Sequence, residues 1–247
     1  MKLIGELFPT KEGDVIRVES YVGKKYYMVS FLHPNTPSNY YKKVRSDSII
    51  NGLVKNPFFP SIYDNGYIGS YVGYASKTDA YKSWHRMMER CYSLKLKEKY
   101  PTYNDVYCCD EWNNFSIFYE WYIQNSINNY ELDKDILIKN NKKYSPETCC
   151  FIPQELNKLL TKSNKTRGKY PLGVNYHKQT NKFVASVRHN NILISIGYYD
   201  TTEEAFNAYK TKKEEIIRES AEQYFSDGAI TEEIYNALLT YEVSIDD

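Results

Sequence analysis

The chain has 247 residues, is 42% hydrophobic and 26% charged, and carries a formal net charge of +1. That is enough apolar material for a core and a length suited to one or two domains, which excludes a disordered tract. The opening Met1-Lys-Leu-Ile-Gly-Glu-Leu-Phe is too short an apolar stretch for a signal segment, and no run approaches about 20 apolar residues, so a cytoplasmic, non-membrane protein is expected.

The five cysteines include adjacent pairs at Cys108-Cys109 and Cys149-Cys150. An odd count without an export signal speaks against a disulfide framework. The near-zero net charge hides segregation. From Phe151 to Tyr199 eight Lys/Arg stand against Glu155 alone, a net of +7, whereas from Asp200 to Asp247 thirteen acidic residues face four basic ones, a net of −9. Such a division suits a polyanion-binding face beside an acidic, solvated element. The 26 tyrosines are spread along the chain, as amphipathic packing requires and low complexity does not.

In chain order, residues 1–58 alternate with strand period in Val15-Ile-Arg-Val and Lys25-Tyr-Tyr-Met-Val-Ser-Phe, with turn signals at Gly13-Asp14 and Gly23. This predicts a small β-rich domain that could close as a barrel. The stretch Lys55-Asn-Pro-Phe-Phe-Pro-Ser-Ile-Tyr-Asp-Asn-Gly, with two prolines and a glycine turn, leads into an ordered connector over 59–77. Tyr81, Trp84, Met88, Cys91 and Tyr92 recur at three and four and predict a helix over 78–97. Phe115, Phe118, Tyr119 and Tyr122 predict another over 112–124.

A short helix over 154–160 leads into the basic linker 161–169. Three strands follow, near 172–177, 183–188 and 192–197. Thr201 with Glu204 makes a capping box for a helix whose inner stripe is Ala205, Ala208, Tyr209 and Ile216. A last helix carries Ile234, Leu238 and Tyr241.

Gly173-Val-Asn-Tyr-His, Lys182-Phe-Val-Ala-Ser-Val-Arg and Ile196-Gly-Tyr-Tyr-Asp-Thr-Thr-Glu-Glu-Ala resemble the three strands and helix start of the Apetala-type DNA-binding domain of plant ethylene-response factors, also found in phage nucleases. The resemblance covers about 170–215. It implies that the sheet enters the major groove with Asn175, His177, Ser186, Arg188 and Ser195 turned outward, while Val174, Phe183, Ala185 and Val187 pack on the helix. Only Arg188 supplies an arginine at these positions. Phosphate contact by Lys178, Lys182 and Lys169, with Lys165 and Arg167 of the linker, is therefore expected to outweigh base readout.

In the middle third, Trp84-His-Arg-Met-Met-Glu-Arg-Cys-Tyr, Cys109-Asp-Glu-Trp-Asn-Asn-Phe, Leu132-Asp-Lys-Asp and Tyr144-Ser-Pro-Glu-Thr-Cys-Cys-Phe-Ile-Pro, ending at Asn157, form a series similar to phage and bacterial HNH-like proteins. That family cuts phosphodiesters with a histidine base and one divalent metal. The resemblance places Asp133 at the metal carboxylate, Lys134 where the catalytic histidine stands, and Asn157 as a second Mg²⁺ ligand. Asp135 or His85 could be recruited by folding. A neutral lysine base needs its pKa lowered by several units, so the expectation is a scaffold that binds DNA without cutting or nicks weakly. Cys91, Cys109 and Cys149 or Cys150 lie in the same blocks and would suit a structural Zn²⁺ if brought together, although the chain has no C-x-x-C pair.

The fold class expected is α+β: a β-rich N-terminal domain (1–58), a degenerate HNH-like ββα central domain (78–160), and a three-stranded antiparallel sheet with helices (170–247). The partner expected is double-stranded DNA in a phage-infected bacterial host, with no small-molecule substrate. The alternatives are an active metal-dependent endonuclease and an inhibitor that acts on a host defence or nucleic-acid enzyme by protein contact.

Overall fold

The computed structural model describes residues 3–160 and 169–245. It is mixed α+β and divides into two compact units. The first comprises 1–125 with 142–145, the second 126–141 with 146–247. No helix among the described residues is long and apolar enough to cross a membrane.

The first unit opens with an antiparallel meander of β1 (Leu7–Pro9), β2 (Val15–Gly23), β3 (Tyr26–Phe31) and β4 (Lys42–Arg45), in that spatial order. It is an open four-stranded sheet with two edges, not a barrel. The alternation that predicts these strands buries Ile16 and Val18 from β2 and Tyr27, Val29 and Phe31 from β3, together with Leu3, Val44, Val54 and Ile49, the last from the short helix α1 (Ser46–Ile50).

The helix expected over 78–97 is two helices, α2 (Asp79–Tyr92) and α3 (Leu94–Lys99). Ser93 separates them because its hydroxyl accepts from the Leu96 N–H at 3.3 Å and caps α3, a role serine fills better than a helix interior. α2 buries Ala80, Trp84, Met87, Met88 and Cys91, and the Trp84 indole donates to the Trp112 carbonyl at 2.7 Å. α4 (Phe115–Asn125) buries Phe115 and Phe118. Tyr107–Cys108 (β5) pairs in parallel with Lys143–Tyr144 (β7), which the chain reaches only after β6 (Tyr130–Asp133), a strand of the second unit.

The second unit begins with β6 antiparallel to β8 (Cys150–Pro153), and α5 (Gln154–Leu160) follows directly. The segment 78–160, expected as one central domain, is thus shared between the two units. The reason lies in the core: Ile136 together with Ile152, Leu156 and Leu159 of this ββα segment packs in one cluster with Val174, Ala185, Val187, Phe206, Tyr209, Ile217 and Leu238.

The three-stranded sheet has the order β11 (Ile192–Tyr199), β10 (Lys182–His189), β9 (Val174–His177), all antiparallel. Asn190 and Asn191 both take positive φ in the β10–β11 turn, as a two-residue hairpin loop demands. α6 (Thr202–Ser226) starts at the predicted capping box, with Thr201 Oγ1 accepting from the Glu204 N–H at 3.2 Å. It buries Ala205, Tyr209 and Ile216 and leaves Ala208 half-buried. α7 (Glu232–Leu239) buries Ile234 and Leu238 and ends before Tyr241. Beyond it Val243 is buried, its N–H donating to Glu214 at 2.8 Å and its carbonyl accepting from Lys210 at 2.9 Å.

Candidate nucleic-acid interface and the ββα segment

Period-two alternation gives the three-stranded sheet two chemically different faces. Val174, Ala185 and Val187 are buried and Phe183 packs against the same core, which is the inward set predicted from sequence. The opposite face carries Asn175 and His177 on β9, Lys182, Val184, Ser186 and Arg188 on β10, and Leu193, Ser195 and Tyr198 on β11. Across the strands Lys182 stands opposite His177, Val184 opposite both Asn175 and Tyr198, Ser186 opposite Ser195, and Arg188 opposite Leu193. All five outward residues expected from sequence, Asn175, His177, Ser186, Arg188 and Ser195, therefore share one face, which also holds Val184, Leu193 and Tyr198. A one-residue irregularity between Ala185 and Ser186 keeps both ends of the hairpin in phase: Ala185 pairs Gly197 and Ser186 pairs Ser195, so Ile196 is the extra residue and packs against the core.

Cations rim the face. Lys169, Lys178 and Arg188 are exposed. Lys182 is half-buried and forms an ion pair with Asp200 at 3.1 Å, so its charge is partly committed. The His177 ring meets Tyr198 edge-on at 5.4 Å, and its Nδ1 lies 2.9 Å from Thr180 Oγ1. Lys165 and Arg167 lie outside the described residues.

In the ββα segment, Asp133 ends β6. Its Oδ1 accepts the Asp135 and Ile136 N–H groups at 2.7 and 2.9 Å, which fixes the turn leaving the strand. Burial pushes its carboxyl above the usual carboxylate range, and the Asp135 charge adds to this, while those two amide hydrogen bonds pull the other way. Lys134 is 7% exposed. Its ammonium donates to both Asp135 carboxylate oxygens at 2.7 and 2.8 Å and to the Asn141 carbonyl at 2.6 Å. The Asn141 side chain returns a bond to the Lys134 carbonyl at 2.8 Å, so Lys134 closes the loop between β6 and β7.

Asn157, on α5, donates to Glu131, which also accepts from Gln154 at 3.2 Å. Glu131 lies two residues before Asp133 on β6, on the same strand face. The expectations from sequence did not include it. Asn157 thus meets Glu131, and Asp133 Oδ1 meets backbone amides. Among the described residues no three His, Cys, Asp or Glu side chains converge on a point that could hold a metal ion. His85, on α2 of the first unit, packs its ring at a tilt against Tyr63 and Tyr81.

Of the cysteines considered for zinc, Cys91 and Cys109 belong to the first unit and Cys149 to the second, and all three are buried. Cys91 shares a thiol hydrogen bond with Cys108 that raises the Cys91 thiol and lowers that of Cys108. Burial pushes the Cys109 thiol up to about 11. Buried thiols of this kind behave as small core side chains.

No family model, curated protein or solved structure matches the chain.

Proposed function

We propose that the chain is a double-stranded-DNA-binding protein of the HNH-like phage group that acts by occupying DNA rather than by cutting it. The observation that carries this reading is the outer face of the β9–β11 sheet. It places Asn175, Ser186, Arg188 and Ser195 in one register, with Lys169 and Lys178 exposed nearby, in the stretch of chain with a net charge of +7. Hydrogen-bonding side chains on a twisted sheet between cations suit a major groove bordered by phosphates.

Lys134 supports the absence of cleavage. Its Nζ is engaged by both Asp135 carboxylate oxygens and the Asn141 carbonyl, so it is not turned toward a water as a general base would have to be. With Asp133 and Asn157 engaged as described, no step of this reading passes through Mg²⁺. The ββα segment serves as packing for the reader, since Ile152 and Leu156 share its core.

The test is incubation of the protein with supercoiled plasmid and short duplexes in Mg²⁺ or Mn²⁺, beside an Asp133→Ala, Asn157→Ala variant. Salt-sensitive retardation of the duplex, the same in both proteins and without nicking, is expected. Nicking that disappears in the variant would replace this reading with an active endonuclease. No retardation at any salt would move the assignment to a protein-targeting inhibitor.

A further inference from the structure

Resting on the DNA-binding reading, we infer that the outer face of the sheet reads thymine through its 5-methyl group, and that Leu193 and the Val184–Tyr198 pair are the residues that make the contact.

Apolar side chains stand on a face otherwise built of polar and basic groups: Val184 on the central strand β10, and Leu193 and Tyr198, 61% and 51% exposed, on the edge strand β11. Val184 and Leu193 are each paired with a hydrogen-bonding residue. Val184 is flanked across the sheet by Asn175 on β9 and Tyr198 on β11, and Leu193 lies opposite Arg188.

The dimensions also agree. A row across three strands spans about 10 Å, which fits a major groove roughly 12 Å wide. The rim is cationic, which favours a nucleic acid over an apolar protein surface as the occupant.

The chemistry follows from what each base pair displays. In the major groove an A·T pair offers the adenine N7 and N6 amino group, which an asparagine reads with two hydrogen bonds, and the thymine methyl, which takes only apolar contact. Asn175 beside Val184, with Tyr198 on the far side of Val184, supplies both halves of that recognition. Leu193 beside Arg188 supplies the apolar half next to a group suited to guanine. A reader limited to phosphates has no use for these three apolar side chains.

The probes are an alternating A·T duplex, the same duplex with uracil in place of thymine, and an alternating G·C duplex with cytosine or 5-methylcytosine. They are compared by competition at one salt concentration with the full-length protein. Uracil removes the methyl group while leaving charge and hydrogen-bonding edges intact, and 5-methylcytosine supplies a methyl group in the same groove.

The A·T duplex should bind more tightly than the A·U duplex by about fourfold for each methyl group buried, and methylation should tighten G·C binding. In Leu193→Ser and Tyr198→Ser, exposed positions that leave the core intact, the ratio of A·T to A·U affinity should shrink toward one. Equal binding of A·T and A·U duplexes overturns the methyl readout and leaves DNA binding standing. Failure to bind all four duplexes overturns the DNA-binding reading itself.

Discussion

The ring of Tyr209 lies so close over Gly173 that a Cβ placed on the glycine would fall 2.0 Å from Tyr209 Cδ2, and Gly173 holds φ +76°. Any side chain at this position is excluded by backbone conformation and by contact at once. The same residue accepts the Ser186 N–H at 2.9 Å, so it joins the start of β9 to β10 beneath α6. Gly173→Ala should destabilise the second unit by about 3 kcal/mol, combining left-handed strain with overpacking. Urea denaturation followed by tyrosine fluorescence checks this, and a variant as stable as the parent would show that the ring moves aside freely.

Lys134 gives a second prediction. Replacing it with alanine removes three charge-assisted bonds from a buried site and should cost about 2 kcal/mol of stability. Duplex affinity at fixed salt should be unchanged. A variant that keeps its stability but loses DNA affinity would put Lys134 at the DNA.

Asp133 predicts a pH effect. Its pKa in the folded protein is raised, chiefly by burial, so folding favours the protonated form. Its contribution is fully favourable below the unfolded carboxylate pKa and is lost as pH rises through the folded value. Asp133→Asn, which keeps an oxygen to accept the Asp135 and Ile136 amides, should be more stable than the parent at neutral pH. The advantage should fade on acidification. Parallel stability profiles of the two proteins from neutral to acidic pH would contradict the assignment.

On the proposed DNA-binding reading, Arg188→Ala should weaken duplex binding by about 1–3 kcal/mol and relax base preference, whereas Lys178→Ala should weaken all sequences alike and lower the salt slope by about one. Binding titrations over a range of salt concentrations separate the two. Identical effects from both substitutions would make Arg188 another phosphate contact.

Much of the second unit was legible in the sequence because its signals are local. Thr201 and Glu204 mark the start of α6, and the Asn190-Asn191 turn and the alternation around Val187 define β10 and β11. The outer-face residues Val184, Leu193 and Tyr198 follow from the same alternation, but a search for polar readers passes over them. The pairing of β5 with β7 was not legible, since two-residue strands have no periodicity and their parallel register joins Tyr107 to Lys143. Nor was the Glu131–Asn157 bond, which depends on how α5 lies against β6 rather than on spacing along the chain.

That short parallel pair bears on how the protein is made. The Cys109 N–H donates to the Tyr144 carbonyl at 2.8 Å, the Tyr107 N–H to the Lys142 carbonyl at 3.0 Å, and Arg90 reaches the Tyr144 hydroxyl at 3.2 Å. The first unit therefore lacks a strand until the ribosome has passed Ser145, by which point β6 of the second unit has already been synthesised. A gene fragment stopped at residue 125 would encode a unit without its closing strand, and one begun at 126 would carry that strand with nothing to pair it. The two halves are written into each other, and a cut at the 161–169 linker would fare no better, because Ile152 and Leu156 belong to the core beneath the three-stranded sheet.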